Sequence, residues 1–185
     1  NLSMNKLITK YLTDGKKEAP PLPAGDYNVI YADPPWKYSN SGISGAAENH
    51  YPTMTIEELC NLKIPASENA VLFLWVTNPI LVEAIPVIKS WGFEYKTNMV
   101  WVKDIAGQGF YVKGQHELLL ICVKGSMRPD DSLFVRSVVS LPRQEHSKKP
   151  EVFYEIIEEM YPEGKYLELF ARNKREGWDS WGNEL

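Results

Sequence analysis

The stretch AVLFLWV, residues 70 to 76, limits what this chain can fold into. Seven apolar residues without a polar interruption are too few to span a bilayer, and they lack the alternation of a strand with one wet face. Such a run suits a strand covered on both faces, within a sheet flanked by helices on either side. Further strands are expected at Asn28–Ala32, Tyr95–Val102, Glu117–Val123 and Lys165–Phe170. Helices are expected at Ile56–Leu62, at Pro79–Ser90, and through PEVFYEIIEEMY, where Phe153, Ile156, Ile157 and Met160 share one face. Strand and helix alternate, so the expected class is α/β with a mainly parallel, doubly wound, Rossmann-like sheet.

The length of 185 residues and an apolar content of 44% suit one domain. Residues 1–25, polar and then proline-rich, read as an arm, and residues 26–185 as the folded unit. A net charge of −4 gives the whole molecule no general attraction for a polyanion, so any nucleic-acid contact must be local. Residues 103–149 hold eight basic against five acidic side chains and are the candidate surface. Cys60 and Cys122 lie far apart, and His50, His116 and His146 are scattered, so neither a disulfide framework nor a metal site is expected. With no bilayer-length apolar run and no signal-like N-terminus, the expected location is cytoplasmic, away from membranes.

The first strand runs into Asp33-Pro34-Pro35-Trp36. Ligands of doubly wound sheets bind beyond the carboxyl ends of the strands, where this tetrad falls. Two prolines fix the backbone and remove two amide donors, leaving the carbonyls of Asp33 and Pro34 as acceptors in a stiff turn whose X–Pro bonds are open to the cis form. A carboxylate beside fixed carbonyls is suited to gripping an amino group. Trp36 then offers a flat face for a planar base, worth roughly 1–3 kcal/mol per base in stacking sites.

The tetrad is one of seven segments occurring in a shared order: DPPW, HYPTMTIEEL, VLFLWVT, WGFEYKTNMVWVK, HELLLICVKG, HSKKP and LELFARNKREGWDSWGNEL. In these the chain resembles the MT-A70 family of S-adenosylmethionine-dependent adenine-N6 methyltransferases, from about residue 26 to the C-terminus. The resemblance implies a circularly permuted methyltransferase sheet, with the catalytic strand before the cofactor strand. It implies that Asp33 and the Pro34 carbonyl hold the target amine within the catalytic set Asp33, Pro34, Pro35 and Trp36. S-adenosylmethionine would be held by Asp33, Lys149, Phe170, Arg172, Asn183 and Glu184, and the substrate would meet Tyr51 and Glu117. LFAR departs from methyltransferases at large in lacking a glycine-rich loop, and only about 15 residues follow that strand, which leaves little room for further strands.

The leading expectation is methylation of adenine N6 in DNA, with the base flipped from the duplex and the loop KYSNSGISGAAENHY acting as a lid. Three other readings stand beside it: the same reaction on RNA, a non-catalytic paralogue serving as a binding or partner subunit, and methylation of a small molecule or a protein amide. A homodimer or a partner subunit is expected to supply additional basic surface.

Overall fold

The computed structural model describes residues 20–38, 53–144 and 148–185. In chain order the elements are β1 (Tyr27–Ala32), α1 (Ile56–Cys60), β2 (Ala66–Val76), α2 (Ala84–Ser90), β3 (Glu94–Val102), β4 (His116–Lys124), β5 (Val138–Ser140), α3 (Val152–Met160), β6 (Tyr166–Leu169) and β7 (Trp178–Trp181). The strands form a single sheet in the order β5-β3-β4-β2-β1-β6-β7. The pairs β1/β2, β1/β6, β3/β5 and β6/β7 are parallel, whereas β4 runs antiparallel to both β2 and β3. The sheet is therefore mainly parallel, and the strand leading to Asp33 precedes the strand leading to Phe170 in sequence.

Side chains of successive strand residues point to opposite faces, so an unbroken apolar strand feeds two cores. On one face Ile30, Leu72 and Leu74 pack with Leu59 of α1 and Val87 and Ile88 of α2. On the other, Tyr31, Phe73 and Trp75 pack with Phe153 and Ile157 of α3. The run at 70–76 is buried throughout, and β2 extends four residues further towards the N-terminus than the apolar signal reached.

Local chemistry accounts for the element boundaries. Thr55 and Glu58 form a capping box that opens α1: the Glu58 amide donates to Thr55 Oγ1 (3.2 Å), and the Thr55 amide donates to Glu58 Oε2 (2.9 Å). The expected single helix over 79–90 divides into a 3₁₀ turn at Asn78–Ile80 and α2 from Ala84. Pro86 gives the reason: a helix running from 79 would place it in the interior, where its missing donor and its ring are costly. Starting at Ala84 puts Pro86 in the first turn, whose amides have no intrahelical partner in any case.

Two strands were not expected. β5 lies within the stretch read as irregular, and β7 forms in the short tail after the LELF strand. The end of the segment read as an arm also packs: Leu22 rests on the core, and Trp181 Nε1 donates to the Pro20 carbonyl at 2.9 Å. Among the described residues no helix is long and apolar enough to cross a membrane.

Phe153 is fully buried and meets Trp75 edge-on, with ring centroids 4.8 Å apart. Phe153→Ala is expected to cost about 3–5 kcal/mol, read as a lower urea midpoint with an unchanged slope.

Candidate active site

β1, β2 and β6 are parallel, so their carboxyl ends lie along one edge, where Asp33, Thr77 and Phe170 follow them. β4 is antiparallel to β2, pairing Val76 with Leu118, so it brings its own beginning, His116 and Glu117, to that same edge. The peptide bonds through the Asp33 turn are trans, as they are among all the described residues. The turn is held locally: the Trp36 amide donates to the Pro34 carbonyl (2.8 Å), and the Met54 amide donates to the Pro35 carbonyl (2.8 Å). The Pro34 oxygen thus has one lone pair committed and one remaining.

Trp36 corrects an expectation. It is only 5% exposed, packs in the core beside Met54, and donates its indole N–H to the Trp75 carbonyl at 3.0 Å. In this arrangement its ring is a structural prop under the turn and offers no open face to a base.

Beyond the turn lies a row of alternating charges. Lys149 Nζ stands 2.6 Å from Asp33 Oδ2 and 3.4 Å from Glu117 Oε2, and Lys103 completes the row with a close ion pair to Glu117. Lys149 also lies over the Trp75 ring, 5.3 Å from its centroid. Burial pushes the Asp33 carboxyl above the usual range, and Lys149 draws it back only in part. Burial pushes Glu117 the same way, but Lys149 and Lys103 together outweigh it and hold that carboxyl below its ordinary value. For Lys149 the desolvation cost is overcome by the two carboxylates, which raise its pKa and keep it charged.

The row separates two cavities. The smaller, about 150 Å³, is bordered by Asp33, Lys149, Tyr154, Glu168, Phe170 and Arg172. Its least expected member is Glu168, a carboxyl 9% exposed within β6 that accepts from Tyr154 Oη at 2.8 Å. Burial lifts its pKa to about 7, the Tyr154 bond opposing. The larger cavity, about 550 Å³, lies on the other side of the row and is lined by Tyr38, Asn78, Lys103, Phe110, His116 and Glu117, among others. Such a volume suits a small planar ligand.

Phe170, the residue after β6, has a positive φ of 63°, a conformation that the Cβ of any non-glycine residue disfavours, and so turns the chain. The next residues run beside the tail: the Ala171 amide donates to the Trp181 carbonyl (2.9 Å), and a Cβ at Gly182 would sit 2.0 Å from the Ala171 oxygen. That contact brings Asn183 and Glu184 beside Arg172, whose Nε lies 3.7 Å from Glu184 Oε1.

Asp33, Lys149, Phe170 and Arg172 therefore share the smaller cavity, Glu184 joins them through Arg172, and Asn183 follows the contact at Gly182 without bordering it. Glu117 faces the larger one. Tyr51 and most of the expected lid lie outside the described residues. The sequence reading missed Lys103, Tyr154 and Glu168. Only Glu168 carried a signal: a charged residue at the centre of YLELF, in a strand otherwise apolar.

An open α/β sheet with an acid-Pro-Pro turn at its carboxyl edge, joined to a charged row that borders two cavities, is the layout of a group-transfer enzyme. The family model MT-A70 matches residues 27–184, and the chain belongs to that family; it is a methyltransferase. It is 37% identical over 188 residues to the Type II methyltransferase M.MunI of Mycoplasma sp, covering 90% of this chain and 81% of that protein. It is 32% identical to the N(6)-adenine-specific methyltransferase METTL4 of Homo sapiens, over 86% of this chain and 37% of that protein. It is 30% identical to the N(6)-adenosine-methyltransferase MT-A70-like of Arabidopsis thaliana, over 87% of this chain and 24% of that protein. The chain thus spans most of the Mycoplasma relative and well under half of the other two. The family implies the use of S-adenosylmethionine.

Two measurements check this geometry. Trp36→Phe keeps the bulk but strands the Trp75 carbonyl, so stability is expected to fall by about 1–2 kcal/mol while KM holds. A changed KM at unchanged stability would return Trp36 to the substrate. The raised folded pKa of Glu168 makes the buried acid favourable while protonated: its contribution is fully present below the unfolded value near 4.5 and is lost as pH rises through about 7. Glu168→Gln removes that loss, so its melting temperature relative to wild type is expected to be higher at pH 8 than at pH 5.

Proposed function

We propose that this protein transfers a methyl group from S-adenosylmethionine to N6 of adenine in DNA, with residues 26–185 as one catalytic domain and residues 1–25 as an arm. The observation that carries the reading is Asp33 at the strand mouth, bordering a small cavity of mixed charge and joined through Lys149 to Glu117, which lines a larger cavity sized for a base.

The donor set of the smaller cavity fits the amino-acid end of S-adenosylmethionine, which carries one ammonium and one carboxylate. Asp33 and Glu168 are acceptors for the first, and Lys148 and Arg172 are donors for the second. Lys149 has two of its three donors committed to Asp33 and Glu117, leaving a third for the cofactor. Phe170 provides an apolar wall, while Asn183 and Glu184 would serve the nucleoside. When bound, the cofactor supplies a methyl group on a sulfonium, a leaving group that needs no acid.

The chain's own part is to orient the amine. The lone pair of an aromatic amine is spread into its ring, which makes it a weak nucleophile. Hydrogen bonds from its two N–H groups to Asp33 and the Pro34 carbonyl favour the rehybridised nitrogen, whose positive charge grows only as the methyl group arrives and is discharged when one of those protons leaves along the hydrogen bond to Asp33 towards water. The two acceptors therefore stabilise the transition state more than the ground state. Glu117, kept ionised by Lys149 and Lys103, adds a negative wall to the base cavity. Tyr38 Oη lies 2.8 Å from Thr77 Oγ1 at the rim of the same cavity, which limits how a ring can sit there.

DNA is favoured over RNA because the relative that shares most of both lengths is named a Type II methyltransferase. The Arabidopsis relative named for adenosine extends far beyond the shared region. With a net charge of −4, a second copy or a partner subunit would add the basic surface a polyanion needs.

Nucleoside mass spectrometry after incubation with S-adenosylmethionine and duplex DNA, single-stranded DNA or RNA tests the proposal. 6-Methyladenine is expected in DNA, and Asp33→Asn is expected to lower its rate at least about 100-fold. Methylation of RNA alone, or an unaffected variant, would overturn it.

A further inference from the structure

The loop between β3 and β4 exposes apolar side chains in a way that folding does not explain. Ile105 is 54% exposed, Phe110 48% and Val112 74%, and Tyr111 is fully exposed. The loop is well tied. At its neck the Lys103 amide donates to the Gln115 carbonyl (2.8 Å), and Gln115 Nε2 donates back to the Lys103 carbonyl (2.9 Å). Further out, the Gly107 amide donates to the Gly114 carbonyl (2.6 Å). The Arg143 amide donates to Asp104 Oδ1 (2.8 Å), fastening the base of the loop to the segment after β5.

The tip itself is a tight turn. The Val112 amide reaches back to the Phe110 carbonyl (2.6 Å), and a side chain at Gly109 would lie 2.2 Å from the Val112 oxygen. Tyr111 sits between them at a φ of 59°, left-handed backbone that an aromatic residue rarely adopts. A turn that favours glycine at this position carries instead a large ring held out in water.

Phe110 and Val112 also line the larger cavity, whose wall includes Glu117 of the charged row. The exposed tip is therefore continuous with the space proposed for the target base. We propose that this tip is a wedge that enters the base stack next to the target adenine and holds the gap open while the base occupies the cavity. The inference rests on reading the site as a nucleic-acid methyltransferase. Extruding a base from a duplex leaves unstacked neighbours, and apolar side chains inserted between base steps are a general means of stabilising that state. Exposed Lys113 beside the tip and exposed Arg143 at the rim of the cavity carry charges of the sign that phosphates attract. A protein partner fits less well, since a partner seated on Phe110 and Val112 would cover the mouth of the cavity.

The test compares duplex with single-stranded DNA, because a wedge matters only where bases are stacked and paired. Tyr111→Gly removes the ring and suits the backbone, and Tyr111→Trp restores a ring. On duplex DNA of mixed sequence, Tyr111→Gly is expected to lose about tenfold or more in kcat/KM, equivalent to about 1.4 kcal/mol, with Tyr111→Trp recovering most of it. On the same DNA made single-stranded, the glycine variant is expected to stay within about twofold of wild type. Equal loss on both substrates, or no loss on either, overturns the wedge. A fall on both substrates with a change from dimer to monomer in light scattering gives the tip to a second copy of the chain instead.

A second readout does not depend on turnover: duplex DNA carrying 2-aminopurine in place of scattered adenines should brighten on binding wild type and not Tyr111→Gly. If wild type methylates no nucleic acid, the proposed function fails, and this fluorescence still decides the wedge.

Discussion

One buried cation organises the working end of this molecule. The Lys149 side chain is only 11% exposed, and a charge so far from water is tolerated only when its partners compensate it. Those partners come from distant parts of the chain: Asp33 follows the first strand, and Glu117 is the second residue of the fourth. Without Lys149, Asp33 would lose its ion-pair partner and face Glu117, which would keep only Lys103 to offset its burial. Lys149 in turn is placed by α3, which starts three residues later and is anchored through Phe153 against Trp75. The ring beneath the ammonium belongs to that same Trp75, whose backbone carbonyl receives the indole N–H of Trp36. Core packing and site electrostatics are thus one construction.

The sheet topology explains how a short chain forms two cavities at one edge. Parallel β1, β2 and β6 deliver a carboxylate turn, a hydroxyl and a sharp positive-φ corner to their carboxyl ends. Antiparallel β4 delivers its first residues to the same place, so Glu117 stands opposite Asp33 although the two strands run in opposite directions relative to that edge. A glycine-rich loop is not what shapes the cofactor side. The left-handed Phe170 and the contact between Gly182 and Ala171 bend the chain there instead, and Glu168 sits beneath as a buried acid.

Much of this was legible in the sequence, for reasons that can be named. The apolar run at 70–76 implied a strand with two buried faces, and both cores exist on either side of it. DPPW stood out because no helix or strand interior tolerates two prolines after an acid, and Asp33 does occupy the strand mouth. Features set by tertiary pairing were harder to read. β5 is three residues long and β7 four, so neither offers enough periodicity to register, and both exist because an open sheet edge awaits them. Trp36 illustrates an ambiguity of residue type: an indole suits a stacking site or a core with a carbonyl to satisfy, and only burial separates the two. The pairing of Lys103 with Glu117 joins residues 14 positions apart through a hairpin register that composition does not encode. Tyr51, matched through the family resemblance, falls outside the described residues.

The most direct test of this arrangement is a double-mutant cycle between Asp33 and Lys149, read as the dissociation constant for S-adenosylmethionine by calorimetry. Asp33→Asn, Lys149→Met and the double variant are compared with wild type. If the ion pair organises the cofactor side, the two losses are coupled: the double variant binds tighter than the sum of the single losses allows, by at least about 1 kcal/mol. Strictly additive losses would mean that each residue meets the cofactor independently, and would contradict the central place given to the pair.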